Sequence, residues 1–273
     1  MSRLDGLAGM TVTGFTKKEM PSAESEAGRV PACLLVDTSG SMEEWTGILK
    51  ESAKKMIESI AKNDTALEKI DLEVITFNTE EQISIKIPAQ ELYGLIDESS
   101  GLLKREFQTR LDFKCQGGTP TAYALKVAVD DLRERYDTLK QRGKSPKSPI
   151  LFVLSDGLPE VHDYQQAEHD QLLKEGIDRI RELVREYKLS VVAVKVGRIC
   201  GEPRNDWEKQ KFPQMHQLMR DITGLSDDHH VCEAKDTEDL SKFFVFTSTL
   251  LINSAKDPNF DLNKMDLSRS ELR

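Results

Sequence analysis

The sequence predicts an α/β fold: a doubly wound, mostly parallel six-stranded sheet with one antiparallel edge strand and helices on both faces. Three observations lead there. Short continuous apolar runs, Ala32-Cys33-Leu34-Leu35-Val36 and Ile150-Leu151-Phe152-Val153-Leu154, have the make-up of strands buried on both faces. Other segments carry apolar residues three and four apart, the spacing of amphipathic helices. The two patterns alternate along the chain, which implies parallel strands joined by crossover helices.

Residues 1–29 read as a flexible N-terminal arm, with Gly, Ser, Glu and little periodicity. The first strand ends at Asp37, and the helix after it carries Leu49, Ala53, Met56, Ile57 and Ile60 on one stripe. Leu72–Phe77 is the second strand. A tight turn at Asn78-Thr79-Glu80-Glu81 returns the chain as Ile83-Ser84-Ile85-Lys86-Ile87. That segment alternates strictly, so it is expected as a half-exposed strand antiparallel to the second, stopped by Pro88.

A short helical piece is expected around Leu92–Leu103. Gly117-Gly118-Thr119-Pro120-Thr121 then opens a long helix marked by Leu125, Ala128, Leu132, Tyr136 and Leu139. Ile150–Leu154 is the next strand and runs into Ser155-Asp156-Gly157. A helix with Leu173, Ile177, Ile180, Val184 and Tyr187 leads to the strand Val191–Val196. Phe212, Met215, Leu218, Met219 and Ile222 mark a helix closed by Gly224. Val231-Cys232 is a short last strand, and Thr237 is expected to cap a Phe-rich closing helix to about Asn253. The economical division is one domain at 30–253 and a loose C-terminal tail at 254–273.

Composition narrows the classes of function. Hydrophobic residues make up 38% and charged ones 31%, as in a soluble globular protein, and no run of 18 apolar residues occurs. Residues 1–29 lack the apolar core of a secretory signal. Cys33, Cys115, Cys200 and Cys232 have no zinc-ligand spacing, and Cys33 and Cys232 read as buried thiols. A cytoplasmic location is the expectation. The net charge of -9 argues against nucleic acid or an acidic membrane surface as the main partner.

In an open α/β sheet, ligands bind at the carboxyl ends of the strands. There the first strand delivers Asp37-Thr38-Ser39-Gly40-Ser41, the later one delivers Asp156, and the Gly-Gly-Thr turn presents Thr119 at a helix start. Two carboxylates and three hydroxyls are all hard oxygen donors, a set that selects Mg²⁺, with Mn²⁺ or Ca²⁺ as alternatives, over zinc or copper. In Asp37-x-Ser39-x-Ser41 the alternating residues can face one centre while Gly40 lets the backbone turn. Two carboxylates balance a dication without surplus, so a bound ion would keep water that a partner's carboxylate can replace.

Asp37-x-Ser39-x-Ser41, the distant Thr119 and the later Asp156 resemble the metal-ion-dependent adhesion site of von Willebrand factor type A domains. The likeness covers about residues 29–253. It implies a Rossmann-like sheet, metal held by those five residues, and a protein partner presenting an Asp or Glu. Val30-Pro31, Asp-Thr-Ser-Gly-Ser-Met, Gly-Gly-Thr-Pro and the Phe-rich closing helix resemble stand-alone bacterial proteins of tellurite-resistance type. That resemblance implies an adaptor in a stress-response system, alongside kinase or phosphatase partners. No catalytic activity is expected.

Each site residue also has a plainer reading. Asp37 and the serines could cap the first helix, Thr119 before Pro120 could cap the next, and Asp156-Gly157 could be a turn. A metal-dependent hydrolase or phosphatase is the alternative function, but its second carboxylate is missing: that position is Ser39. A scaffold with a purely structural ion, gripped at Phe243–Phe246, is another. Trp45 could be a rim contact for a partner or half-buried against the sheet. His229-His230 read as exposed turn residues, and His162, Asp163 and His169 as a polar segment with at most a minor second metal site.

Overall fold

All six expected strands form, and they assemble in the expected way. The computed structural model describes residues 28–79, 83–159 and 166–268. The strands are β1 (Val30–Asp37), β2 (Ile70–Phe77), β3 (Ser84–Glu91), β4 (Ile150–Ser155), β5 (Ser190–Val196) and β6 (Val231–Ala234). Their order across the sheet is β3-β2-β1-β4-β5-β6, so the winding reverses between β1 and β4. All neighbouring pairs are parallel except β2 with β3. The carboxyl ends of β1 and β4 therefore stand side by side at the switch point, with Val36 opposite Leu154.

Alternation along the strands sorts their side chains to two cores. Leu34, Val36, Phe152, Leu154, Val192 and Val194 pack with α1 (Thr46–Ala61) and α7 (Thr237–Lys256). Cys33, Leu35, Leu151, Val153, Val191 and Ala193 face α4 (Thr121–Gln141), α5 (Gln166–Glu186) and α6 (Asp206–Thr223). The short helices α2 (Asp64–Lys69) and α3 (Arg105–Arg110) complete the set. Both predicted buried thiols, Cys33 and Cys232, lie in these cores.

Several local expectations change. Pro88 does not stop β3, which continues to Glu91. The pairing with β2 shifts register beside Val74, and an edge strand has no outer neighbour to receive the missing N–H. The piece expected at 92–103 is a 3-10 turn at Leu92–Leu95 followed by an Ile96–Leu103 bridge, and the true helix, α3, comes later. Asp236, not Thr237, caps α7: its carboxylate accepts from the N–H groups of Glu238 and Asp239.

Both domain margins are tied down where they are described. Arg29, expected in the arm, is buried and pairs with Asp71 at 2.5 Å. Residues 254–268 are not loose. Leu262 and Leu267 are buried, and Leu267 N–H donates to the His229 carbonyl. His230 is buried rather than exposed, its ring nitrogens 3.0 Å from the Val191 carbonyl and 2.9 Å from that of Leu262. Residues 1–27 of the arm and residues 269–273 lie outside the described residues.

Candidate metal centre

Strand β1 ends with Asp37 wholly inside the protein, at 0% exposure. Its Oδ1 accepts from the Ser39 N–H at 2.8 Å, and its Oδ2 accepts from the Ser155 hydroxyl at 2.5 Å. Ser41 donates its hydroxyl to Asp156 Oδ1 at 2.8 Å. The Ser39 and Ser41 hydroxyl oxygens are 3.1 Å apart, and because the Ser41 proton is used toward Asp156, Ser39 is the donor between them. Asp37, Ser39, Ser41 and Asp156 thus form one linked row of oxygens across the two adjacent strand ends.

The loop that precedes Thr119 is held against the Asp37 loop through the backbone. The Gly40 N–H donates to the Gly117 carbonyl at 3.1 Å, and the Gln116 N–H donates to the Thr38 carbonyl at 2.9 Å. Gly117 has φ +72°, and an added Cβ would come within 2.5 Å of Thr79 Cγ2 and 2.7 Å of the Asn78 carbonyl oxygen. Only glycine lets the loop lie this close. Thr119 itself is buried, and α4 starts two residues later.

The capping readings are not what the structure does. Ser39 stands before the 3-10 turn Gly40–Trp45, yet its side chain makes no capping hydrogen bond. The N-cap of α4 is Pro120, which has no side-chain acceptor to offer.

Burial pushes the Asp37 carboxyl up from 3.8 to about 7, opposed by the bonds from Ser155 and Ser39 and aided by the charge of Asp156. None of the groups that set this value is a cation. A buried carboxylate close to a second one, with serine oxygens around them, chemically fits a hard divalent ion. Among the described residues no group of three or more His, Cys, Asp or Glu is placed to hold a metal.

Other candidates settle differently. Trp45 is 6% exposed and packs on Gly197 after β5, so it is core rather than rim. On the closing helix Phe243 and Phe244 are buried, while Val245 is 66% exposed. His162 and Asp163 lie outside the described residues; His169 is buried against α4. Ser155 was missed as a site residue. The register signals it, because Val36 opposite Leu154 puts Ser155 beside Asp37.

The fold and this edge define an open α/β domain with a cluster of side-chain oxygens at its switch point. The von Willebrand factor type A domain model matches residues 33–245, and the chain belongs to that family. Among solved structures it is similar to the pilus adhesin SpaC from Lactobacillus rhamnosus GG, with TM-score 0.60 and 14% identity, covering 83% of this chain and 30% of that one. It thus spans less than a third of the adhesin. The vWF domain of the type V pili tip protein Mfa5 from Porphyromonas gingivalis matches at TM-score 0.54 and 10% identity, over 86% of this chain and 98% of that one. The PilB minor pilin from Streptococcus sanguinis gives 0.52 and 12%, over 85% and 64%. At these identities the likeness is one of fold. Comparison with curated proteins returned no match.

Proposed function

We propose that this domain is a metal-dependent protein-interaction module. Asp37, Ser39, Ser41, Thr119 and Asp156 would hold a divalent cation, Mg²⁺ first and Mn²⁺ or Ca²⁺ as alternatives, and an Asp or Glu of a partner protein would bind there without any reaction being catalysed. The observation that supports this most is the graded exposure of the oxygen row: Asp37 is fully buried, Asp156 partly exposed and Ser41 exposed. The row therefore runs from the protein interior to a surface that another protein can reach.

A cation bound there would supply a positive charge to which an incoming carboxylate can bind. The chain's own part is to fix that place. Asp37 and Asp156 provide the charge, the serines link them, and the Gly117 turn brings Thr119 alongside. Type A domains commonly mediate protein–protein interaction, in line with this role. The four free cysteines suit a cytoplasmic protein. No described helix is long and apolar enough to cross a membrane. We assign the adaptor to the tellurite-resistance type of stress response, beside kinase or phosphatase partners, on the sequence features given above.

The test is a pull-down with tagged full-length protein in Mg²⁺, in chelator, and with Asp37→Ala in Mg²⁺. A partner retained only by the wild type with metal supports the reading. A partner retained equally in all three refutes it.

A further inference from the structure

The three loops of the metal centre are tied to one another in pairs. The Asp37 loop is tied to the Thr119 loop by Gly40 N–H to Gly117 carbonyl and Gln116 N–H to Thr38 carbonyl. The Asp37 loop is tied to the Asp156 loop by Ser155 to Asp37 and Ser41 to Asp156. The start of α4, two residues after Thr119, is tied in addition to α5. His169 sits in the first turn of α5, the helix that follows the Asp156 loop in the chain. Its Nε2 accepts from the Ala122 N–H at 3.1 Å, in the first turn of α4, which follows the Thr119 loop.

The first N–H groups of a helix have no partner within the helix and need one from outside. Pro120 at the N-cap supplies none, so an imidazole from the neighbouring helix takes that place. The ring is fully buried and tilted against Tyr123, with centroids 6.0 Å apart. Since Nε2 accepts, the proton of the neutral ring is on Nδ1, 3.9 Å from Asp170 Oδ1. Burial lowers the pKa of His169, which keeps the ring neutral and its Nε2 lone pair available.

We infer that His169 is a positioning residue of the metal centre, an acceptor on α5 that holds the start of α4, and with it the adjoining Thr119, in place. The inference rests on the metal-binding reading. It adds a residue that touches none of the five expected ligands in the hydrogen bonds described and that acts through the Ala122 amide alone.

The experiment compares Mg²⁺ affinity of full-length wild type, His169→Leu, His169→Gln and Asp37→Ala by calorimetry, each well below its own melting temperature. Leucine fills the space without an acceptor, whereas the glutamine Oε1 can stand where Nε2 stood. His169→Leu is expected to bind more weakly by up to about tenfold, the lower end of the cost of losing a group bonded directly to a ligand, with His169→Gln near wild type. Equal binding by His169→Leu and wild type, with Asp37→Ala silent, overturns the positioning role and leaves the metal centre standing. Glutamine as weak as leucine also overturns it. If wild type and Asp37→Ala titrate alike, the metal reading itself fails and this inference with it. Ring ¹⁵N shifts of the wild type give a readout free of any variant: Nε2 should be the unprotonated nitrogen, and a proton found there refutes the acceptor role.

Discussion

Replacing Asp37 with asparagine is expected to stabilise the metal-free protein at pH 8 while removing its response to Mg²⁺. The carboxyl rises from 3.8 to about 7 in the fold, chiefly through burial, with Asp156 adding to the rise. A shift of roughly three units corresponds to about 4 kcal/mol. The sign follows from proton binding. The folded value lies above the unfolded one, so between pH 4 and pH 7 the folded state holds the proton more tightly. Stability from this group is fully present below pH 4 and is lost as pH rises through 7. At pH 8 the metal-free wild type therefore bears the whole cost of a buried, ionised carboxylate.

Asparagine keeps the shape and the partners: its Oδ1 can accept from the Ser39 N–H, and its Nδ2 can donate to the Ser155 oxygen. It carries no charge to bury. Urea unfolding of both proteins in chelator, at pH 4.5, 6 and 8, measures the difference, and titrations elsewhere in the chain cancel between them. The Asp37→Asn variant should gain most at pH 8, up to about 4 kcal/mol, and only about 1 kcal/mol at pH 4.5. Millimolar Mg²⁺ should then raise the wild type alone, by an amount that grows with the logarithm of concentration. A variant less stable than wild type at pH 8, or a difference that does not change with pH, would refute the account of Asp37.

Two further outcomes are expected. Gly117→Ala should destabilise the fold by at least about 2 kcal/mol, from the positive φ and the overlap with Asn78 and Thr79, and should weaken Mg²⁺ binding; thermal unfolding with a metal titration checks both. Asp71→Ala removes a buried carboxylate shared by Arg29 and Arg135, and should cost about 3–5 kcal/mol in chemical unfolding. Because Asp71 lies at the amino end of its strand, away from the metal centre, Mg²⁺ affinity of the folded variant should be unchanged.

Much of the fold was legible because its signals are local. Buried strands such as Leu34–Val36 and Ile150–Leu154 are written as apolar runs, and the Ile83–Ile87 alternation declared a strand with one face exposed. The oxygen donors were legible for a related reason, since all of them fall at the ends of strands or in the turn before α4. Contacts that depend on tertiary packing were hidden. The edge position of β3 was read from the sequence, but not that an edge lets the strand run on through Pro88 to Glu91, which depends on how the register shifts against β2. Trp45 next to the site motif looked like a rim residue, and only the approach of Gly197 shows that it is enclosed. His230 and His169 sit in polar stretches, and the carbonyls and amide that receive them come from residues far away in sequence. Leu262 and Leu267 are isolated apolar residues in a polar segment, with no periodicity to announce that they pack.

Two buried aspartates on adjacent strands show what the domain does with negative charge. Asp71, at the amino end of β2, meets Arg29 at 2.5 Å and Arg135 at 2.9 Å, so the chain supplies the counter-charge itself. Asp37, at the carboxyl end of β1, is just as deeply buried, yet its immediate partners are two hydrogen-bond donors from serines, with Asp156 as the nearby charge. Burial raises its carboxyl to about 7 against the pull of those hydrogen bonds, so at neutral pH the metal-free site is balanced between holding a proton and holding a charge. A residue kept there for stability would be better served by asparagine, or by an arginine like those at the other end of the sheet. Uncompensated charge at the switch point makes sense if the counter-charge comes from outside and is exchangeable, and that is the property a metal-gated binding surface needs.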